Sequence, residues 1–364
     1  MKFKIVHIVE AFSTGIFSWL VDINNALNDD NFEITILHSY REETPADYDH
    51  YFSQGIKLIP IKMTSNINPI IDIKGVFQII KYIKKAKPDV IHLHSSKAGL
   101  IGRLAYLLYH HSSIKCVYQP HGLASLRENS SSLARYLFSS AEYFLSKINT
   151  LTIACGKTEY EIMTDRMGIE NAVCVPNGID TNKFKKKSPK KSETITIATS
   201  GGIRYQKAPW LFAEIASQFI SQNHIQFIWI GGGSDEEYLS SLKDSEVKIT
   251  GWISTDKMIA ELNDVDIFLL TSLWEGLPIS LLEAQSMGIP AIVSNIVGNK
   301  DVIVDGMNGF LANEVKDYVD YINRITKSDE LYKSLSTHSR GHIKKVYSQR
   351  ITVQQIRMIY GMEE

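Results

Sequence analysis

Residues 275–283 read E-G-L-P-I-S-L-L-E and set two carboxylates, Glu275 and Glu283, eight residues apart around a Gly-Leu-Pro. The apolar run just before them, DIFLLT over 266–271, predicts a buried strand. Residues 272–277 are then its exit loop, and Pro278 suits the first helical position, where a missing N–H costs nothing. The unpaired N–H groups of that first turn, with the positive end of the helix dipole behind them, can seat an anion such as a diphosphate. Gly276 lets a ligand approach the backbone closely. Glu275 falls on the loop and Glu283 near the end of the helix's second turn, so they can reach different groups, one a sugar and the other a second hydroxyl-bearing group such as a ribose. Carboxylates suit that work because each accepts two hydroxyl hydrogen bonds. A plainer reading stands beside this one: acids near a helix start are favoured by the dipole alone. It accounts for an acid in the first turn and leaves the Trp-Glu-Gly loop unexplained.

The elements that must position these residues are read from alternation. Strand candidates are 3–9, 33–38, 56–61, 89–94, 114–118, 150–154 and 172–175, then 194–199, 225–230, 246–250, 266–271 and 289–293. Helical periodicity fills the stretches between them. Apolar strands alternating with helices predict an α/β protein with parallel sheets covered on both faces. The pattern halts once, at VPNGID (175–180) and the basic run KFKKKSPKKSE (183–193), read as a solvated linker. We place the boundary there: an N-terminal Rossmann-like domain at 1–178 and a C-terminal one at 179–364. The last helix, about 346–364, is expected to pack back on the first domain. Two doubly wound parallel-sheet domains face a cleft, and ligands in such sheets bind beyond the carboxyl ends of the strands.

Bulk properties narrow the function. The chain has 364 residues, 44% hydrophobic and 22% charged, which is globular composition. A net charge of -1 speaks against a dedicated nucleic-acid binder. Three scattered cysteines give neither a disulfide framework nor a zinc spacing and suit a reducing cytoplasm. The start, MKFKIVHIVEAF, reads as a first strand rather than a signal peptide, and no apolar run has the length of about 18 residues that a membrane span needs.

E-G-L-P-I-S-L-L-E resembles the E-x7-E motif of retaining glycosyltransferases of family 4, which have the GT-B fold. HIVEAFSTGIFSWL resembles that family's first strand and glycine loop, and KPDVIHLHSSKAGLIGRLA a segment of bacterial capsule and O-antigen transferases. YQPHG, VPNGID, GGIRYQKAP, IGGGSDEEYL, ITGWIS and DGMNGFL resemble further family segments in the family's order. The resemblance implies a nucleoside-diphosphate sugar, a UDP-sugar, as donor, bound mostly by the C-terminal domain, 179–364, with the acceptor bound by the N-terminal domain, 1–178. It implies Glu283 on the ribose, Glu275 on the donor sugar with the backbone of Gly276, Leu277 and Pro278, and Lys207 on the diphosphate. The base would lie near Gly251, Trp252 and Ile253, with Gly231 and Gly232 beside it. His121 would meet the reacting sugar, and Gly15 would let the first loop approach the phosphates. His94 and Lys97 are candidates for acceptor or phosphate contacts. No cofactor and no metal are implied; the acceptor would be a polyprenyl-diphosphate-linked saccharide in surface polysaccharide synthesis, on the cytoplasmic side of the inner membrane.

There are departures. The family's basic loop carries an Arg five residues before its Lys; that position is Gly202, and Arg204 is the candidate substitute. The first loop, Ser13-Thr14-Gly15, holds one glycine where the family holds two or three. Asp264-Val265-Asp266 matches a D-x-D metal motif of other transferases, but it opens a strand instead of following one. Residues 70–87 and 133–147 read as basic-amphipathic and aromatic helices that can lie on an anionic membrane or simply pack on the sheet. Two other functions fit the same grammar: a sugar-nucleotide epimerase or hydrolase, and a non-catalytic donor-binding subunit.

Overall fold

The computed structural model describes residues 2–29, 31–64, 66, 68–109, 113–148, 150–186 and 194–362. The chain divides into two compact units, 1–177 with 349–364, and 178–348.

The first unit runs β1 (Phe3–Val9), α1 (Thr14–Leu27), β2 (Phe32–His38), β3 (Lys57–Pro60), α2 (Pro69–Ala86), β4 (Val90–His94), α3 (Ser96–Tyr109), β5 (Lys115–Gln119), α4 (Ser132–Ser146), β6 (Thr150–Ala154), α5 (Lys157–Glu161) and β7 (Ala172–Cys174). Its seven strands lie in the order β3-β2-β1-β4-β5-β6-β7, all parallel. Ile5, Ile8, Ile91 and Leu93 have no solvent exposure, as strands covered on both faces require. Burial of that many aliphatic side chains, about 1.5–3 kcal/mol each, is what holds the sheet.

The second unit runs β8 (Ile195–Ser200), α6 (Pro209–Ser217), β9 (Ile225–Ile230), α7 (Glu236–Asp244), β10 (Lys248–Ile249), α8 (Thr255–Asn263), β11 (Ile267–Leu270), α9 (Ile279–Ser286), β12 (Ala291–Ser294), α10 (Asn299–Val302), β13 (Gly309–Ala312), α11 (Val315–Thr326) and α12 (Asp329–Val346). Its strand order is β10-β9-β8-β11-β12-β13, again parallel. The final helix, α13 (Gln349–Tyr360), belongs to the first unit: Ile356 and Tyr360 enter its core, Gln349 Nε2 donates to the Asp22 carbonyl at 2.7 Å and Thr352 Oγ1 to the Pro176 carbonyl at 2.9 Å.

In both sheets the order in which the chain adds its parallel strands reverses once, between β1 and β4 and between β8 and β11. At such points the helices leave on opposite faces and the strand ends lie open to a ligand.

Three local expectations are corrected. Pro278 is not the first helical residue: it is extended (φ -71°, ψ 116°) and caps α9, so Glu283 opens the second turn instead of ending it. Residues 246–250 give only the two-residue β10. Gly15 is the second residue of α1, within its first turn and not in a loop. Of the basic run, Lys183–Lys186 are described, and Lys186 Nζ donates to the Val265 carbonyl at 3.0 Å; 187–193 lie outside the described residues. Among the described residues, no helix is long and apolar enough to cross a membrane.

Candidate functional site

In the second unit the loops that follow β8 and β11 meet, because those strands are neighbours in register (Ile267 opposite Ile197). Lys207 Nζ and Glu275 Oε1 form an ion pair at 2.7 Å with side chains 12% and 10% exposed. Glu275 also accepts from Ser272 Oγ at 2.7 Å, and Gln206 Nε2 donates to the Trp274 carbonyl at 2.8 Å. Leu273 N donates to the Gln206 carbonyl and Thr271 Oγ1 to the Lys207 carbonyl, each at 2.8 Å. The result is a pre-formed cation and carboxylate on two mutually bonded loops. So little exposure leaves the pair weakly screened by water and salt. Gly276, Leu277 and the cap Pro278 lead from Glu275 into α9, with Leu277 and Glu283 nearly buried at 4% and 6% exposure.

Next to this pair the backbone packs too tightly for side chains. Gly231 has φ 146°, and a Cβ there would lie 2.0 Å from the Gly201 carbonyl oxygen. That oxygen already accepts from Trp229 Nε1 at 2.9 Å, and Gly231 N donates to Thr250 Oγ1 at 3.0 Å. A Cβ on Gly232 would touch the Trp252 ring at 3.0 Å, whereas Gly251, at φ 70°, faces open space. Trp252 is 53% exposed, with Ile253 half-buried beside it. The strand ends of β8, β9 and β10 thus form one shelf of glycine backbone and indole face next to Lys207. Arg204 folds its guanidinium over Gly202: a Cβ at 202 would lie 3.0 Å from both Nε and Nη2. The Arg204 guanidinium thus lies against the Gly202 backbone.

Asp266, the second acid of the D-x-D sequence, precedes β11 and accepts from Thr196 N at 2.8 Å. It sits at the amino end of the sheet, opposite the loops just described.

In the first unit the carboxyl strand ends gather imidazoles. His94 ends β4 and His121 follows β5; His94 Nδ1 and His121 Nε2 are 2.9 Å apart. His92 is bonded to the Tyr360 hydroxyl at 2.8 Å, which explains a histidine inside an apolar strand. Burial lowers His121 to about 3 and His94 well below its ordinary value, so both are neutral at pH 7. His121 stands at φ 57°, a left-handed position that a non-glycine residue holds only when its surroundings fix it. Lys97 is not an open cation: it pairs with Asp72 of α2 at 2.5 Å and donates to the Asn66 carbonyl at 3.0 Å.

Sequence reasoning missed three groups here. Glu10, just after β1, pairs with Arg41. His7 of β1 is bonded to His94 at 2.8 Å. Gly298, at φ 84°, presses on the Glu275 loop: a Cβ there would lie 2.3 Å from the Gly276 carbonyl oxygen.

The chain matches known proteins over nearly its whole length. Residues 13–183 match the model described as Glycosyltransferase Family 4, and 180–342 that described as Glycosyl transferases group 1. It is 29% identical to the UDP-Gal:alpha-D-GlcNAc-diphosphoundecaprenol alpha-1,3-galactosyltransferase of Escherichia coli, over 99% of this chain and 97% of that one. It is 24% identical, over 95% of each chain, to the N,N'-diacetylbacillosaminyl-diphospho-undecaprenol alpha-1,3-N-acetylgalactosaminyltransferase of Campylobacter jejuni. Among solved structures, Anabaena Alr3699/HepE in complex with UDP-glucose superposes with a TM-score of 0.79 at 17% identity, covering 98% of this chain and 99% of that one.

Proposed function

Because the chain belongs to the glycosyltransferases, family 4 in its first half and group 1 in its second, we propose that it moves a sugar from a UDP-sugar to a saccharide carried on a polyprenyl diphosphate, in capsule or O-antigen synthesis. The observation that carries this is the Lys207–Glu275 pair at the β8/β11 switch point, beside the start of α9. The name of the Escherichia coli relative supports a UDP-sugar donor, and those of the Escherichia coli and Campylobacter jejuni relatives a diphosphoundecaprenol-linked acceptor.

In this reading the diphosphate lies against Lys207, Arg204 and the first-turn N–H groups of α9. Glu275 and the Gly276-Leu277-Pro278 backbone hold the donor sugar, Glu283 takes the ribose hydroxyls, and the Gly231-Gly232 and Gly251-Trp252-Ile253 shelf takes the base. His121 contacts the sugar from the first unit. The anomeric C–O bond breaks with its electron pair going to the diphosphate, whose growing charge these cations and N–H groups stabilise. The acceptor hydroxyl attacks from the same face, giving retention, and its proton passes to the diphosphate oxygen. Protein cations do the work a metal would do, so activity is expected to survive EDTA.

The same reading includes a peripheral membrane contact on the cytoplasmic face. α2 exposes Ile70, Ile73 and Phe77 at 58–69% beside Lys74, Lys81, Lys84 and Lys85. α4 exposes Leu133, Tyr136, Leu137 and Phe144 at 57–70%, and the Arg103–Glu142 pair ties it to α3, which exposes Leu108 at 66%. One layer of helices thus carries apolar tips with a lysine fringe, which favours an anionic bilayer.

The test is UDP release from a panel of UDP-sugars with and without an undecaprenyl-diphosphate-linked saccharide. Release that depends on acceptor is expected. Release without acceptor would make the protein a donor hydrolase or epimerase, and binding without release a donor-binding subunit. Flotation with anionic and neutral liposomes tests the membrane contact; equal flotation would remove its electrostatic basis.

A further inference from the structure

Asp266, the second acid of the D-x-D sequence, borders a cavity that the transfer mechanism does not use. The cavity, of about 560 Å³, opens in the second unit between Asp266, Lys186 and one stripe of α12. The stripe is Tyr332, Ser336, Arg340 and Lys344, each four residues from the next, so all four share one face of the helix. The chain packs closely beside that stripe. Gly288, just past α9, stands at φ 73°, and a Cβ there would lie 3.0 Å from Ser336 Oγ and 3.9 Å from Arg340 Cβ. Asp266 precedes β11, and Thr271 stands five residues on at its far end, about 16 Å along a strand. The cavity is therefore at the opposite end of the sheet from the Lys207–Glu275 pair.

Among the described residues, Arg340 and Lys344 have no ion-pair or hydrogen-bond partner, and neither do the Tyr332 and Ser336 hydroxyls or Asp266 Oδ1. Lys186 Nζ donates to the Val265 carbonyl at 3.0 Å, and Asp266 Oδ2 accepts from Thr196 N at 2.8 Å, so both keep further bonding capacity at the cavity. Burial lowers the Lys186 pKa even though Asp266 and Asp264 pull it up, so these acids do not offset the desolvation of that cation. Burial also pushes Tyr332 up to about 12, which keeps its phenol a donor at neutral pH. Three cations, Lys186, Arg340 and Lys344, thus stand against two carboxylates, Asp266 and the exposed Asp264.

The cations and the two hydroxyls are donors suited to the oxygens of a phosphate, and the Arg340 fork can meet two of them at once. Asp266 Oδ1 only accepts, so it suits a hydroxyl elsewhere on the same ligand. We propose that this cavity binds a phosphate ester of a polyol, either a free sugar phosphate or the glycerol phosphate headgroup of a lipid. Binding there is independent of the transfer reaction. A merely solvated basic face accounts for Lys344, which is exposed, but not for Lys186, whose ammonium a backbone carbonyl holds at the cavity.

The experiment is methyl NMR of the full chain labelled with 13C-methyl methionine. Met287 borders the cavity at 2% exposure, and Met287→Leu assigns its signal. UDP is kept in excess so that the donor loops do not compete for the probes. Glucose 1-phosphate, monomeric dihexanoyl phosphatidylglycerol and inorganic phosphate are titrated in turn. One of the two esters is expected to shift Met287 with saturation, at a Kd about tenfold or more below that of inorganic phosphate, as one hydroxyl-to-carboxylate bond provides. Tighter binding of glucose 1-phosphate identifies a free sugar phosphate; tighter binding of the lipid identifies a headgroup. Arg340→Ala combined with Lys344→Ala should weaken the ester at least tenfold, with the methionine signals away from the cavity unmoved as the check on folding. Tyr332→Phe, which keeps the ring, should weaken it roughly fivefold. No saturable Met287 shift with any probe up to about 10 mM overturns the site. So does an ester that binds no more tightly than inorganic phosphate, or a Kd that the double variant leaves unchanged.

Discussion

Acid should unfold the first unit through its histidines. His7 is lowered from 6.5 to about 3, and His92 and His94 lie well below 6.5, all by burial. The titratable groups that act on His92 and His94 are other histidines, so no carboxylate offsets the effect. A pKa lowered on folding means that the folded chain binds fewer protons. Stability is therefore full above the unfolded value of 6.5 and falls as the pH drops toward the folded value near 3. At pH 5.0 each fully buried histidine costs about 2 kcal/mol, because 1.5 pH units separate that pH from the unfolded pKa. Three together cost about 6 kcal/mol, comparable to the whole stability of many domains. Trp19 is the sole tryptophan of this unit, so 5-fluorotryptophan gives it one resolved 19F signal for urea titrations. The Trp19 midpoint should fall steeply between pH 6.5 and 5.0. His92→Gln keeps a partner for Tyr360 and removes one proton, which should flatten the slope by about 1.4 kcal/mol per pH unit. A midpoint independent of pH, or a slope that His92→Gln leaves unchanged, would refute the reasoning.

Other consequences follow from pairs and close approaches. Lys207→Ala should lower kcat by about a hundredfold or more and change donor KM little, since the proposed mechanism sets its charge on the leaving diphosphate; steady-state kinetics with the reverse pattern would make it a ground-state binder. Arg103, 1% exposed, meets Glu142 at 2.7 Å, and Arg103→Met should cost about 3–5 kcal/mol in urea unfolding, partly recovered by adding Glu142→Gln. Gly231→Ala puts a methyl 2.0 Å from the Gly201 oxygen, so the thermal shift with UDP should vanish while the Trp19 19F signal stays native. For the unaltered chain that shift reports about 2.7 kcal/mol at a hundred times Kd.

Much of this could be read before any coordinates, for reasons that differ by residue. The strands announced themselves because burial on both faces leaves unbroken apolar runs such as IPAIV and DIFLLT. β13 did not, being four residues that begin at Gly309, where a Cβ would lie 2.4 Å from the Ala291 carbonyl oxygen. Lys207 and Glu275 were named separately, but their pairing depends on β8 and β11 being neighbours, a fact of strand order that no local pattern encodes. Lys97 looked like a phosphate ligand because its partner, Asp72, stands 25 residues earlier on another helix. His7 passed as a lone polar residue in a strand; only the β1/β4 register brings it to His94. Spacing along a chain reports periodicity, and contacts between strands follow from topology.

The return of α13 to the first unit has a consequence for synthesis. The first unit is split in sequence, and the second is inserted between its parts. A ribosome finishes the whole of 178–348 before it releases Ile356 and Tyr360, which complete the first core, and before His92 gains its hydroxyl partner. The part made first must therefore wait, with the α1 face that α13 covers left open, for the part made last. A released chain truncated after residue 348 should expose the α1 face that α13 covers to chaperones and proteases, while the inserted unit is native.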